Sequence, residues 1–171
     1  MEEYLIVDGY NIINSWDELK EESLYSLDSA RVKLLDIMSN YQSFKGIKII
    51  VVFDAHYVKN SIEKHEFYHD IEIVYTKEFE SADNYIERFV KENAEGCIIR
   101  VATSDYLEQI LILGLGGARL SARELEAEVK RTNKNLNKDY IKPLRHERNL
   151  LEHYLDSKVF HELEKLRKRK E

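Results

Sequence analysis

Four aspartates stand where short apolar runs end or where the next helix should open: Asp8 after YLIV, Asp54 after IKIIVVF, Asp83 in TKEFESAD, and Asp105 in TSD after CIIRVA. Asp is an ordinary turn and N-cap residue, so any one of these positions alone carries little information. Taken together they put an acid at the start of every crossover. Carboxylates crowded on one edge repel each other unless a cation neutralises them or some keep their protons. A hard divalent ion is the economical solution. The chain has one cysteine, Cys97, and no His-x-x-x-His on an expected helix, so oxygen-only ligation points to Mg²⁺ or Mn²⁺ rather than zinc. Such a site does phosphoryl chemistry, in which the metal stabilises charge on the phosphate and lowers the pKa of an attacking water.

Polar neighbours extend the set. Lys77 reads either as an exposed loop lysine or as a contact for phosphate and transition-state charge. Asn11 and Ser104 suit the orientation of a water or of Asp8 by hydrogen bonding, with Asn11 expected to reach back to the acid and Gly9 to permit a tight exit from the strand. His56, His65 and His69 fall in the loop expected after the second strand, and their spacing alone is a weak metal signal.

The elements that must position these residues follow from periodicity. Apolar, β-branched runs at residues 4–7, 47–53, 71–75 and 97–102 are short and continuous, as strands covered on both faces should be, and 118–120 suggests a short fifth. Between them, residues 28–44 place Ala30, Leu34, Ile37, Met38 and Tyr41 on one helical stripe, and 82–92 place Ala82, Tyr85, Ile86, Phe89 and Val90 on another. Ser81 should cap the second helix, a third should run from Tyr106 to Leu113, and Ser121 with Glu124 reads as a capping box. Strands alternating with helices predict an α/β domain of three layers, with a central, mainly parallel sheet of four to five strands. In such sheets ligands bind beyond the carboxyl ends of the strands.

With 171 residues, the chain has room for one full core. The division expected is 1–137 for the α/β domain and 138–171 for a helical extension beyond the polar stretch around Pro143, with a last helix over about 147–168. Charge is unevenly spread: the total is −6, yet residues 142–171 hold 9 Lys/Arg against 6 Asp/Glu. An acidic total argues against indiscriminate nucleic-acid binding without excluding a local docking patch. No run approaches the roughly 18 apolar residues of a membrane span, and the acidic start lacks a signal peptide's basic region, so no membrane and a cytoplasmic location are expected.

The segments VDGYNII, VVFDAH, TKEFESAD, ATSDYLEQ and SARELEAEV, in collinear order over residues 4–130, resemble the YacP branch of the NYN-domain family, a group of PIN-like nucleases. The resemblance implies a PIN-like α/β/α fold and a Mg²⁺-dependent endoribonuclease site. Carried over position by position, it puts the metal ligands at Asp8, Asp83 and Asp105, a further acid at Asp54, and polar positions at Asn11, Lys77 and Ser104. It also implies RNA as substrate, mRNA cleaved in a ribosome context. The expected reaction is in-line attack by a metal-activated water, leaving a 5′-phosphate and a 3′-hydroxyl. Arg31, Lys59, Arg119 and Arg123 are candidates to follow the RNA backbone.

Four other readings compete. A non-catalytic RNA- or ribosome-binding module of the same fold would gain nothing from acids that repel phosphate. A receiver-type phosphoacceptor wants an acidic pair at the first strand, and a haloacid-dehalogenase-like phosphatase wants a second Asp two residues after the first, where Tyr10 stands. The GLGG at 114–117 follows an expected helix rather than the first strand, which disfavours a dinucleotide fold.

Overall fold

The computed structural model describes residues 2–54 and 62–136. In chain order these form β1 (Glu2–Asp8), α1 (Gly9–Ser15), α2 (Asp17–Tyr25), α3 (Leu27–Lys45), β2 (Lys48–Phe53), β3 (Lys64–Tyr68), β4 (Ile71–Tyr75), α4 (Ala82–Asn93), β5 (Cys97–Thr103), α5 (Tyr106–Gly114), β6 (Ala118–Ser121) and α6 (Ala122–Leu136). Residues 1–130 make one compact unit, and 131–171 group separately. The expected helix at 147–168, His56 and Lys59 lie outside the described residues. Among the described residues no helix is long and apolar enough to cross a membrane.

Six strands form one sheet in the order β3-β4-β2-β1-β5-β6, parallel throughout except for β3, which runs antiparallel to β4. Alternation along β1 explains its continuous apolar run. Leu5 and Val7 join the core formed with α1, α2, α3 and α6, whereas Ile6 joins the opposite core with α4 and α5. Both faces are therefore covered, and an uninterrupted apolar strand is what a two-sided burial requires. The chain leaves β1 toward β2 and β4, then returns across β1 to β5 and β6. That reversal makes the carboxyl ends of β1 and β5 the switch point of the sheet.

The sheet has one strand more than the four to five expected. The addition is β3, whose sequence KHEFY is polar and largely exposed on an edge. His65 therefore lies on a strand, where its ring nitrogens contact Glu72 at 2.7 Å and Glu63 at 3.0 Å, and His69 lies in the turn that follows. Neither belongs to a loop near the strand-end acids.

Gly9 differs in a second way. It is the first residue of α1, and the reason for glycine is space: a Cβ there would meet the Phe53 ring at 2.3 Å. The helix start thus lies directly on β2's last side chain. Trp16, at the α1–α2 junction, donates from its indole to the Ala122 carbonyl at 2.9 Å and ties these short helices to α6.

Candidate active site

Each acid is placed by a cap or a strand end. Asp8 closes β1 and caps α1, its Oδ1 accepting from the Asn11 backbone N–H at 3.2 Å. Asp105 caps α5, accepting from the N–H groups of Leu107 at 2.8 Å and Glu108 at 3.3 Å, while its own N–H is held by the Thr103 hydroxyl at 3.1 Å. Ser81 caps α4 and so presents Asp83 in the first helical turn. Register aligns these ends: Asp8 pairs with Val52 on β2, and Val7 with Ala102 on β5. Asp54 and Asp105 therefore follow strands that flank β1, on the same edge.

Asp8, Asp83 and Glu108 each offer a carboxylate oxygen, all within 4.8 Å of one another. Asp8 is 7 % exposed and Glu108 only 2 %. Neither Glu108 oxygen makes a hydrogen bond of normal geometry. Among the described residues, none of the three has an ion-pair partner. The electrostatic consequence is uniform in direction. Burial pushes Asp8 up to about 6, opposed by the Asn11 N–H and reinforced by Asp83, Asp54 and Asp105. Burial likewise pushes Glu108 up to about 8, with Thr103 opposing in part and Asp83, Asp8 and Asp105 adding to the rise. Asp83 is raised by burial and then by Asp105 and Asp54. This is a site short of positive charge, built from oxygen donors alone, and that donor set fits a hard divalent cation.

A crevice of about 510 Å³ opens over the acids, lined by Asp8, Tyr10, Asn11, Asn14, Leu27, Asp54, Ser81, Ala82 and Asp83. A second cleft of about 380 Å³ is lined by Ser15, Ser104, Gln109, Ser121, Ala122 and Arg123. Between them runs one bridge. The Asn11 Oδ1 accepts from the Ser104 backbone N–H at 2.8 Å and from the Ser104 hydroxyl.

A family model described as the YacP-like NYN domain matches residues 5–168. The chain belongs to the YacP-like NYN domain family. Membership in this family implies a nuclease-type, RNA-related function. The chain is 48 % identical over 127 residues to YacP of Bacillus subtilis (strain 168), covering 74 % of each. It also matches the crystal structure of Rae1 (YacP) from Bacillus subtilis at 40 % identity and a TM-score of 0.72, covering 98 % of this chain and 95 % of that one. The crystal structure of a tryptophan-to-leucine mutant of the same Rae1 matches at 42 % identity and a TM-score of 0.69, covering 80 % and 79 %. A PIN-like α/β fold with a mostly parallel sheet is thus shared with these NYN structures.

Of the site residues expected from sequence, the fold gathers some and disperses others. Asp8 and Asp83 meet, and Asp54 lines the same crevice. Asp105 is beside them electrostatically, but its Oδ1 is engaged in capping α5, and Glu108 occupies the third place in the cluster. Asn11 does not turn its side chain back to Asp8; its backbone N–H does that, and its amide spans to Ser104. Lys77 is exposed in the turn before Ser81 and does not line the crevice. Arg31 donates to the Tyr10 hydroxyl at 3.1 Å, pairs with Asp28, and lies 6.0 Å from the Phe53 ring centroid, so it positions Tyr10. Arg119 is engaged by Gln109 at 3.1 Å, whereas Arg123 lines the second cleft.

Glu108 was missed by sequence reasoning because α5, YLEQILILG, reads as an apolar helix. Its pattern is inverted: Leu107, Ile110, Leu111 and Leu113 are exposed, while Glu108, Gln109 and Ile112 are buried. The one signal in the sequence was a lone acid three residues after an N-capping Asp at a strand end.

Proposed function

We propose that this chain is a metal-dependent endoribonuclease whose reaction centre is Asp8, Asp83 and Glu108, with Asp54 and Asp105 shaping the field around it. The observation that carries this reading is the convergence of three carboxylates within 4.8 Å, two of them buried, with no cation of the described chain beside them. A binding module would have no use for such a cluster, since it repels the backbone it must hold. Mg²⁺ or Mn²⁺ would be held by Asp8, Asp83 and Glu108, with Asp105 in support. When bound, the ion supplies charge stabilisation at the phosphate and a water of lowered pKa.

The chain's own residues do the rest. The Asn11 N–H fixes one oxygen of Asp8 and leaves the other for a ligand. The Asn11–Ser104 bridge holds the start of α1 against the end of β5, which keeps Asp8 and the α5 acids at a constant separation. Lys77 meets substrate phosphate from the rim, and Arg123 with Ser15, Ser104 and Ser121 gives the RNA backbone a polar path beyond the acids. The substrate is an RNA strand, and mRNA under translation is the setting the family resemblance implies.

The test incubates purified protein with naked RNA and with translating ribosomes, each with Mg²⁺ or EDTA, and maps the cleaved ends. Mg²⁺-dependent cuts with 5′-phosphate ends, lost in Asp8→Asn, are expected. RNA or ribosome binding without cutting in every arm would replace the enzyme by the binding module.

A further inference from the structure

The connection from β4 to α4 is fixed at both feet. Thr76 is fully buried and donates its N–H to the Phe53 carbonyl at 3.1 Å; Glu80 is buried and pairs with Arg88 at 3.1 Å. Between them the Glu80 N–H returns to the Lys77 carbonyl at 3.1 Å, closing a four-residue turn. Its third position is Phe79, at φ 68°. A glycine or asparagine is the usual occupant of that left-handed position, and a bulky residue there is a strained outlier. Burial does not offset the strain, because Phe79 is 93 % exposed. Folding alone therefore gives no reason for an aromatic at this point.

Position supplies one. Phe79 is two residues ahead of Ser81, which lines the acidic crevice with Ala82 and Asp83, and two residue steps span no more than about 7 Å. Lys77, also exposed, shares the turn. A rigid ring and an ammonium are thus both exposed on the turn that leads by two residues into a crevice suited to a phosphodiester. We propose that Phe79 is a stacking platform for an RNA base flanking the scissile phosphate, with Lys77 meeting the adjoining backbone. Base stacking tolerates any sequence because every base has a π-face, and a nearby cation answers the phosphate charge. This rests on the nuclease reading for the direction of the strand across the crevice.

The variants are Phe79→Gly and Phe79→Trp in the full chain, probed with single-stranded RNA carrying 2-aminopurine, in EDTA for binding and in Mg²⁺ for cleavage, and with translating ribosomes. Phe79→Gly should melt no lower than the parent, since glycine accepts the positive φ, yet bind and saturate with RNA on the order of tenfold more weakly. Phe79→Trp should restore both and quench the 2-aminopurine. A lower melting temperature for Phe79→Gly together with unchanged RNA affinity would make the ring structural and overturn the proposal. Unchanged RNA affinity with lost action on ribosomes would overturn it in favour of a protein contact. If the parent binds RNA without cutting and Phe79→Gly binds more weakly, stacking stands while the nuclease reading falls.

Discussion

Two carboxylate clusters in this molecule are built on the same sheet and end in opposite electrostatic states. In the first, Glu128 on α6 is fully answered: the Tyr41 hydroxyl donates to Oε2 at 2.6 Å and Arg100 to Oε1 at 2.8 Å. Burial works against its charge, but the Tyr41 bond and Arg100 prevail and hold it below the usual carboxylate range. In the second, Glu108 is more deeply buried, has no such donors, and is driven up to about 8 among other acids. One cluster completes the fold by linking α3, β5 and α6. The other is left incomplete by the fold, and a group that costs stability without a partner inside the chain points to a partner outside it.

The sharpest way to break this contrast is to remove one acid from each region. Asp8→Asn and Asp83→Asn should lose RNA cleavage by about a hundredfold or more, while circular dichroism shows the fold retained. Glu128→Gln should leave kcat as it is and lower the melting temperature instead. Equal loss of kcat in all three would erase the distinction between a reacting and a structural cluster.

Stability measured against pH reads the same difference with a defined sign. The folded Glu108 titrates near 8, well above an ordinary carboxyl near 4.5. Between those values the native protein keeps a proton that the unfolded chain gives up, so the metal-free protein loses stability as pH rises and reaches the full loss above about 8. Glu108→Gln removes that penalty. In EDTA it should be more stable than the parent by about 4 kcal/mol at pH 8, and no more stable at pH 4. Urea unfolding at the two pH values tests this; a destabilised Glu108→Gln at pH 8 would mean the carboxylate is satisfied after all. The reciprocal change in the other cluster is Arg100→Met, which strips Glu128 of its cation and should cost about 2 kcal/mol at neutral pH, the pair being about one-fifth exposed.

What the sequence made legible follows the same physical lines. The Leu5-Ile6-Val7 run announces a strand because both faces are buried, and Ser81, Ser121 and Glu124 announce helix starts because capping is local chemistry. Two short helices, α1 and α2, escape periodicity because seven and nine residues give too little stripe, and their anchoring includes the long-range Trp16 to Ala122 bond, which no local pattern announces. Edge strand β3 escapes because neither its charges nor its exposure alternate cleanly. At the candidate site, Asp8 and Asp83 could be read from strand and cap positions. Glu108 could not, since its burial depends on α5 turning its polar side inward, where Gln109 donates to the Thr103 carbonyl and Ile112 packs in the core, and the helix's own composition does not announce that.

The smallest effect expected is also the most direct comparison of the two clusters. An ion that binds the native state alone stabilises it by RT ln(1 + [L]/Kd), about 1.4 kcal/mol when Mg²⁺ is at tenfold its dissociation constant. Because the acids must release their protons to accept the ion, the shift should grow as pH is raised from about 6 to about 8. Arg100→Met should keep the whole Mg²⁺-induced rise in melting temperature on its lowered baseline, since Arg100 serves Glu128 and not the crevice. Asp8→Asn should lose the rise and its pH dependence. A rise that survives Asp8→Asn would place the ion elsewhere on the chain, and the unanswered charge of Asp8, Asp83 and Glu108 would then need a different ligand.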